Sequence, residues 1–253
     1  MFPRKIRVCE LFGIPIFLDF SLIILLIMFV MDFGSFTYGL SFALALAVSI
    51  TLHELGHALT ARMFGYRTRD ITLSLLGGCA SLIALPRKAS QEFVTAAAGP
   101  AVSFAISGLA WLAIAFLPIS NPWTANMLAY TFWMNLVLGG FNLLPGFPMD
   151  GGRIFRSVAR IFTTRAKATY IAMIVGRGFA ILLALRGLHS LVTGGGWGFI
   201  SLLIAWMIWR EGWREYQQAL MDEQWGGPWD WSARVSPPPY GGDEDDVEVR
   251  RRR

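Results

Sequence analysis

Residues 45–61 read ALAVSITLHELGHALTA, and this stretch is the most informative in the chain because it contains a His-Glu-x-x-His motif within an apolar run. A helix places positions i and i+4 on one face, so His53 and His57 can both bind one metal ion. Ionisable residues inside a membrane segment are costly, which makes them candidates for a functional site. The stretch therefore predicts a membrane-spanning helix that carries two metal ligands.

Glu54 lies between the two histidines and is the candidate catalytic base. In metal-dependent hydrolases with this motif, the glutamate takes a proton from water while the histidines hold zinc. A structural zinc site has no need of a base beside its ligands. Glu54 thus favours an enzyme over the alternative, a non-catalytic membrane scaffold or metal-handling protein that retains the zinc site.

The composition is that of a membrane protein. The chain has 253 residues, of which 55% are hydrophobic and 15% are charged, and its mean hydropathy is +0.50. A soluble domain carries about 25% charged residues. The formal net charge of +5 does not indicate nucleic-acid binding, because the basic residues lie beside the apolar segments. We expect an integral membrane protein in contact with the lipid bilayer.

Six apolar segments are candidates for transmembrane helices, which need roughly 20 residues each. They cover residues 14–31, 39–64, 93–117, 125–144, 169–188 and 198–213. Lys and Arg cluster before the first segment, between the second and third, between the fourth and fifth, and after the sixth. Because basic loops stay in the cytoplasm, the sequence predicts an all-α polytopic membrane protein with about six transmembrane helices and both termini cytoplasmic.

The loop between the second and third predicted helices has the pattern of a small, membrane-associated β-hairpin. Residues 70–75 alternate polar and apolar side chains, residues 80–85 return, and Gly77-Gly78 could form the turn. Two interpretations are open. The segment is either an ordinary cytoplasmic hairpin or a sheet edge that pairs with an extended substrate by strand addition.

A third metal ligand is required, because catalytic zinc usually takes three protein ligands and leaves one position for water. The best candidate is Asp150, in the segment 141–152, FNLLPGFPMDGG, which follows the fourth apolar run. Its prolines and glycines break the helix and let the backbone turn back into the protein. His57, roughly 12 Å below the cytoplasmic surface by helix rise, and Asp150 lie in the same leaflet.

Small residues recur every four positions in the third predicted helix, at Thr95, Gly99, Ser103 and Ser107. That spacing forms a stripe where another helix can approach closely. We interpret the stripe as ordinary helix packing.

The chain divides into two regions by composition. Residues 1–220 hold every apolar segment and every motif, and form the predicted membrane domain. Residues 221–253 contain Pro-rich and acidic stretches that cannot bury a core. They are predicted to be a disordered cytoplasmic tail.

The motif at 53–57, together with the N-x-x-P and D-G elements of segment 142–152, resembles the site-2 protease family of intramembrane zinc metalloproteases, peptidase family M50. The resemblance covers about residues 1–220. It implies that three residues, His53, His57 and Asp150, bind Zn2+. It also implies that Glu54 is the base and that Asn142 holds the substrate or its oxyanion.

The same resemblance implies a transmembrane protein as the substrate and a bacterial or archaeal cell membrane as the location. Cleavage is expected within or near a transmembrane segment of the substrate, close to the cytoplasmic side. The sequence leaves the oligomeric state open.

Overall fold

The computed structural model of the chain describes residues 5–32, 34–74, 77–82, 88–194 and 198–224. Within these residues the chain forms seven helices and one four-stranded sheet. The strands are β1 (Lys5–Leu11), β2 (Ile14–Asp19), β3 (Thr68–Ser74) and β4 (Gly77–Leu82). The helices are α1 (Phe20–Asp32), α2 (Phe36–Met63), α3 (Ala89–Phe116), α4 (Pro122–Asn142), α5 (Asp150–Ala159), α6 (Arg165–Val192) and α7 (Gly198–Gln224).

Three helices among the described residues, α2, α3 and α6, are long and apolar enough to cross a membrane. The chain is therefore a mostly helical membrane protein, as its composition predicted. Helix α1 has only 13 residues. These rise about 20 Å and fall short of a hydrocarbon core of about 30 Å. The count of six transmembrane helices stays a prediction.

The first predicted helix, residues 14–31, is wrong in its N-terminal third. Ile14–Asp19 forms strand β2, and α1 begins at Phe20. Asp19 marks the change, because its Oδ1 accepts a hydrogen bond from the Ser21 backbone N–H at 2.9 Å. A short apolar run shows no periodicity that separates a strand from a helix, so hydropathy alone merged the two elements.

The sheet has the order β1-β2-β3-β4, with antiparallel outer pairs and a parallel pair, β2 and β3, at its centre. The prediction of an all-α protein with a sheet only between the second and third helices is therefore incomplete. Half of the sheet comes from residues that precede α1, and these pair with β3 across more than 50 residues of sequence.

The predicted hairpin is present as β3 and β4, but its turn is misplaced. Gly77 and Gly78 belong to β4, where they lie opposite Ser74 and Leu73. Residues 75, 76 and 83–87 lie outside the described residues, and with them the ends of both predicted strands.

Strand β3 lies in the interior of the sheet. Leu73 is paired with Leu18 of β2 on one side and with Gly78 of β4 on the other. Residues 71–73 pair with β2 on one side and with β4 on the other, so this part of β3 forms no open edge. The prediction that residues 70–75 form a substrate-binding edge is therefore wrong for β3, whereas strand addition at β4, the outer strand of the same hairpin, stays a prediction. The outer strands among the described residues are β1 and β4.

One face of the sheet packs against α2. A single buried cluster joins strand residues to helix residues: Ile14, Ile16, Leu22, Ile50, Leu55, Ala58, Ile71 and Leu73. Leu55 lies within the His-Glu-x-x-His motif. The sheet thus supports the helix that carries the two histidines.

The remaining helices pack around α3 and α6. Helix α3 contacts α2, α4 and the short helix α5, while α5 also contacts α6. Helices α6 and α7 form an antiparallel pair, in which a side chain at Gly187 would meet Gly198 and one at Gly212 would meet Met173. Helix α5 is the element that places Asp150.

Helix α6 contains a charged residue, Arg177, which lies within the fifth predicted membrane segment. Its guanidinium carbon is 4.5 Å from the ring centroid of Trp209 and 5.6 Å from that of Trp213, both on α7. Cation–π contacts of this kind offset part of the cost of a partly buried arginine.

Residues 225–253, which hold most of the predicted tail, lie outside the described residues. The division at residue 220 stays a prediction. Helix α7 itself is continuous to Gln224.

Candidate metal centre

Three of the predicted site residues converge in the interior. His53 and His57 lie one turn apart on α2, and Asp150 is the first residue of α5. The Nε2 atoms of both histidines are 3.1 Å from Asp150 Oδ2. The three residues are 2%, 7% and 7% exposed, respectively. Their ligand atoms lie within 4.8 Å of one another, which is the geometry of a site for one metal ion.

The second ring nitrogen of each histidine is held by α3. His57 Nδ1 donates to the Thr95 backbone carbonyl at 2.8 Å, and His53 Nδ1 is 2.9 Å from Ser103 Oγ. A carbonyl only accepts, so His57 Nδ1 carries a proton, and Nε2 is the nitrogen that is left to bind a metal ion. Contacts of this kind orient metal-binding histidines and fix their tautomers.

Gly99 keeps the space between the two histidines open. A Cβ built at Gly99 would overlap His57 Nε2 and would lie 2.7 Å from His53 Nε2. These are the atoms that would bind the ion. Any side chain at position 99 would therefore occupy the position that a metal needs.

The stripe of small residues in α3 thus has a second purpose that its spacing did not reveal. Ser107 does pack helices, since its hydroxyl donates to the Phe132 carbonyl of α4 at 3.0 Å. Thr95, Gly99 and Ser103 instead contact the histidines. The sequence showed the four-residue spacing of these small residues, but it did not show that the motif helix packs against them.

Asp150 reaches the histidines because the chain folds tightly just before α5. The Met149 N–H donates to the Gly146 carbonyl at 3.0 Å, and a Cβ at Gly151 would overlap the carbonyl oxygens of Leu143 and Leu144. The Asp-Gly sequence is therefore needed for the approach of α5 to the end of α4. The predicted break in the helix at Pro145 and Gly146 is confirmed.

Glu54 shares the buried environment of the ligands. It follows His53 on α2 and is 7% exposed. Its charged neighbours are His53, His57, Asp150 and Arg153. Arg153, on the first turn of α5, was not among the predicted site residues.

Asn142 is the last residue of α4, and its side-chain amide donates to the Leu138 carbonyl of the same helix at 3.0 Å. This bond holds the side chain along its own helix. Asn135, which lies seven residues earlier on the same helix, is fully buried and donates to Ser49 Oγ of α2 at 3.0 Å. Asn135 thus packs α4 against the motif helix, and a substrate contact of Asn142 stays a prediction.

The donor set fits zinc. Two imidazole nitrogens and one carboxylate oxygen are protein ligands typical of catalytic zinc, which keeps one further position open. The space kept clear by Gly99 lies beside both Nε2 atoms. A buried site of this composition, next to helices apolar enough to cross a membrane, is typical of membrane-bound metal-dependent hydrolases.

Comparison with known proteins agrees with that class. A family model described as peptidase family M50 matches residues 41–122 and 118–185, which include the motif helix and Asp150. The chain belongs to peptidase family M50.

Individual relatives support the assignment, and their names describe them as zinc metalloproteases. A zinc metalloprotease of Methanocaldococcus jannaschii is 37% identical over 195 residues, which are 74% of this chain and 55% of the relative. A relative from Synechocystis sp. is 33% identical over 238 residues, which are 87% of this chain and 62% of the relative. The chain thus spans about 55–62% of the length of these curated relatives.

The fold is also similar to a solved structure. The site-2 protease from Methanocaldococcus jannaschii superposes with a TM-score of 0.64 and 32% sequence identity, covering 84% of this chain and 95% of that one. The helical architecture and the small sheet described above are therefore those of a site-2 protease fold.

Proposed function

We propose that the protein is a zinc-dependent intramembrane endopeptidase that cleaves membrane-tethered proteins within or near a transmembrane segment, close to the cytoplasmic side. The observation that carries the proposal is the buried convergence of His53, His57 and Asp150, with Glu54 beside them. These residues sit on or next to helices apolar enough to cross a bilayer.

Each residue has a proposed role that follows from its atoms. His53 and His57 would hold zinc through Nε2, and Asp150 through Oδ2. When bound, zinc supplies Lewis acidity that lowers the pKa of water and polarises a peptide carbonyl. Glu54 accepts a proton from water and delivers it to the leaving amine. Asn142, at the end of α4, is proposed to hold the substrate backbone.

The membrane setting bears on two parts of the proposal, the topology of the chain and the conformation of the substrate. The proposed topology keeps six spans, with the basic loops and both termini in the cytoplasm. The carbonyls of a helical substrate are occupied by internal hydrogen bonds, so the substrate must unwind locally before cleavage. We propose a transmembrane protein of a bacterial or archaeal membrane as the substrate.

A buried carboxylate next to the ligands argues against a non-catalytic zinc scaffold. A scaffold would require only the three ligands, whereas burying Glu54 as well has a desolvation cost that catalysis explains. No described contact outside the site favours a second function.

The test compares Glu54→Gln with Asp150→Ala in the purified full chain. Glu54→Gln should keep one zinc per chain and lose cleavage of a model transmembrane substrate, because the ligands survive and the base does not. Asp150→Ala should lose both zinc and cleavage, since two imidazoles alone make a poor site. Zinc is measured by elemental analysis of the protein in detergent.

Two outcomes would contradict the proposal. Wild-type cleavage by Glu54→Gln would remove the base from the mechanism. A full zinc equivalent in folded Asp150→Ala would mean that another residue is the third ligand. Comparing membrane proteomes of wild type and Glu54→Gln then identifies the substrate as a tethered protein that accumulates uncut.

A further inference from the structure

A partly buried cluster of charges, separate from the metal centre, joins three helices. We call Glu92, Arg156, Arg160 and Glu215 the arginine cluster. Arg156 of α5 is 2% exposed; its Nε is 2.8 Å from Glu92 Oε1 and its Nη1 is 2.7 Å from Glu215 Oε2. Arg160 Nη1 is 2.9 Å from Glu92 Oε2. Helices α3, α5 and α7 are thereby fixed to one another.

Each of the three nitrogen atoms of the Arg156 guanidinium has a carboxylate partner. Its Nη2 also lies 2.6 Å from Glu92 Oε1, and its Cζ lies 4.9 Å from the ring centroid of Phe147, which is 1% exposed. Burial by itself lowers the pKa of this group, but the carboxylates of Glu92 and Glu215 outweigh burial and raise the pKa. Arg156 therefore stays charged and cannot leave one partner without stranding a buried charge.

The cluster connects the two halves of the metal centre. Glu92 lies on α3, three residues before Thr95, whose carbonyl holds His57. Arg156 lies six residues after Asp150 on α5, a separation of about 9 Å along the helix axis. The Glu92–Arg156 pair thus joins α5, which carries Asp150, to α3, which contacts both imidazoles.

Arg156 also contacts the turn that precedes Asp150, through Phe147. The arginine therefore holds α5 at two places, its own position and the turn at the start of the helix. Buried ion pairs are weak evidence for stability, and their best-attested use is to fix one arrangement among several.

We propose that Arg156 is a positioning residue for the metal centre: with Glu92 and Glu215, it places the Asp150 carboxylate against His53 and His57. Helix α7 is thereby part of the support of the site, although it supplies no ligand. The inference rests on the proposed zinc site and does not depend on proteolysis.

The test measures zinc affinity by chelator competition on the full chain in detergent, together with the visible absorption spectrum of the cobalt-substituted protein. Arg156→Gln should weaken zinc binding by about 10–100-fold, the usual effect of losing a group that supports a metal ligand. It should also change the cobalt spectrum, because the ligand geometry relaxes. Arg156→Lys, which keeps the charge but not the fork, should recover part of the affinity.

The matched control is Arg214→Gln on α7. Arg214 is next to Glu215 in sequence, but its pair with Glu211, at 2.7 Å, is exposed and lies within one helix. This variant should bind zinc as the wild type does. Glu215→Gln removes one carboxylate and leaves the Glu92–Arg156 pair, so it should weaken zinc binding less than Arg156→Gln does.

A folded Arg156→Gln protein with wild-type zinc affinity and an unchanged cobalt spectrum would overturn the inference. If Arg156→Gln does not fold, Glu215→Gln decides, and wild-type affinity there overturns it. A wild-type protein that binds zinc but cleaves no substrate would refute the proposed protease function and leave this inference standing. A wild-type protein that binds no zinc would refute both.

Discussion

Both imidazoles of the metal centre are held at two nitrogens, one facing Asp150 and one facing α3. The ligand atoms are therefore oriented before any ion arrives, which reduces the ordering that binding requires. Gly99 completes this arrangement by leaving the ion its space. The orientation of the metal-binding atoms thus depends on α3 as much as on the motif helix α2.

Gly99→Ala should weaken zinc binding by about tenfold or more. Its Cβ would overlap His57 Nε2, and the atoms of α2 and α3 would have to move apart. Zinc content and affinity of the purified variant measure the effect.

Gly108→Ala is the control, because it lies on the same helix and a Cβ there meets nothing within 4 Å. Alanine favours a helix over glycine in both variants alike. Equal zinc affinity of the two variants would show that Gly99 does not guard the ion position.

At the scale of elements, the sheet and α2 form one packing unit. Leu73 of β3 is 2% exposed and belongs to the cluster that contains Leu55 and Ala58 of the motif helix. A defect in β3 should therefore affect the stability of the protein, and through it the motif helix, instead of a substrate-binding edge.

Leu73→Pro should lower the unfolding temperature, because proline removes a backbone donor and leaves a buried acceptor unsatisfied at a cost of about 1–3 kcal/mol. The loss of the Leu73 side chain from the cluster adds to this. Thermal unfolding in detergent measures the effect, and cleavage should fall only with the amount of folded protein.

Val8→Pro is the comparison. Val8 lies on the outer strand β1, is 54% exposed and falls at the irregularity in register between Arg7 and Cys9. Proline is tolerated on outer strands and at bulges. If both variants unfolded at the same temperature, the interior position of β3 would not matter to stability.

At the scale of the whole molecule, α7 ties the end of the described chain to the rest. Besides the Glu215 contact with Arg156, Glu223 Oε1 accepts a hydrogen bond from the Ala166 N–H at 2.7 Å, and Asp222 pairs with Arg165 at 3.5 Å. These contacts hold the start of α6 against the end of α7. The contacts of α7 with α6 thus extend as far as Glu223.

A chain cut after Gln224 should bind zinc and cleave a minimal substrate as the full chain does, since it keeps these contacts. A chain cut after Arg214 loses Glu215, Asp222 and Glu223 together and should bind zinc more weakly. Zinc affinity and helical content of the two truncated proteins check this. Loss of zinc binding by the longer one would give residues 225–253 a role that their composition does not predict.

The local features of this protein could be predicted from its residues alone. Hydropathy identified the membrane class, and i, i+4 spacing placed His53 and His57 on one face of α2. Broken helix signals and the need for a third ligand pointed to Asp150, which the structure places at the two histidines. These features can be predicted because each depends on residues that lie close together in the sequence.

The distant residues that support the site became visible only in the folded chain. The pairing of β2 with β3, the contacts of Thr95, Gly99 and Ser103 with the histidines, and the joining of α5 to α3 and α7 all link residues far apart in the chain. Arg156 contacts Glu92 and Glu215 across 64 and 59 positions. Such contacts arise from how helices pack, and a periodic pattern in one segment does not identify the distant segment that it packs against.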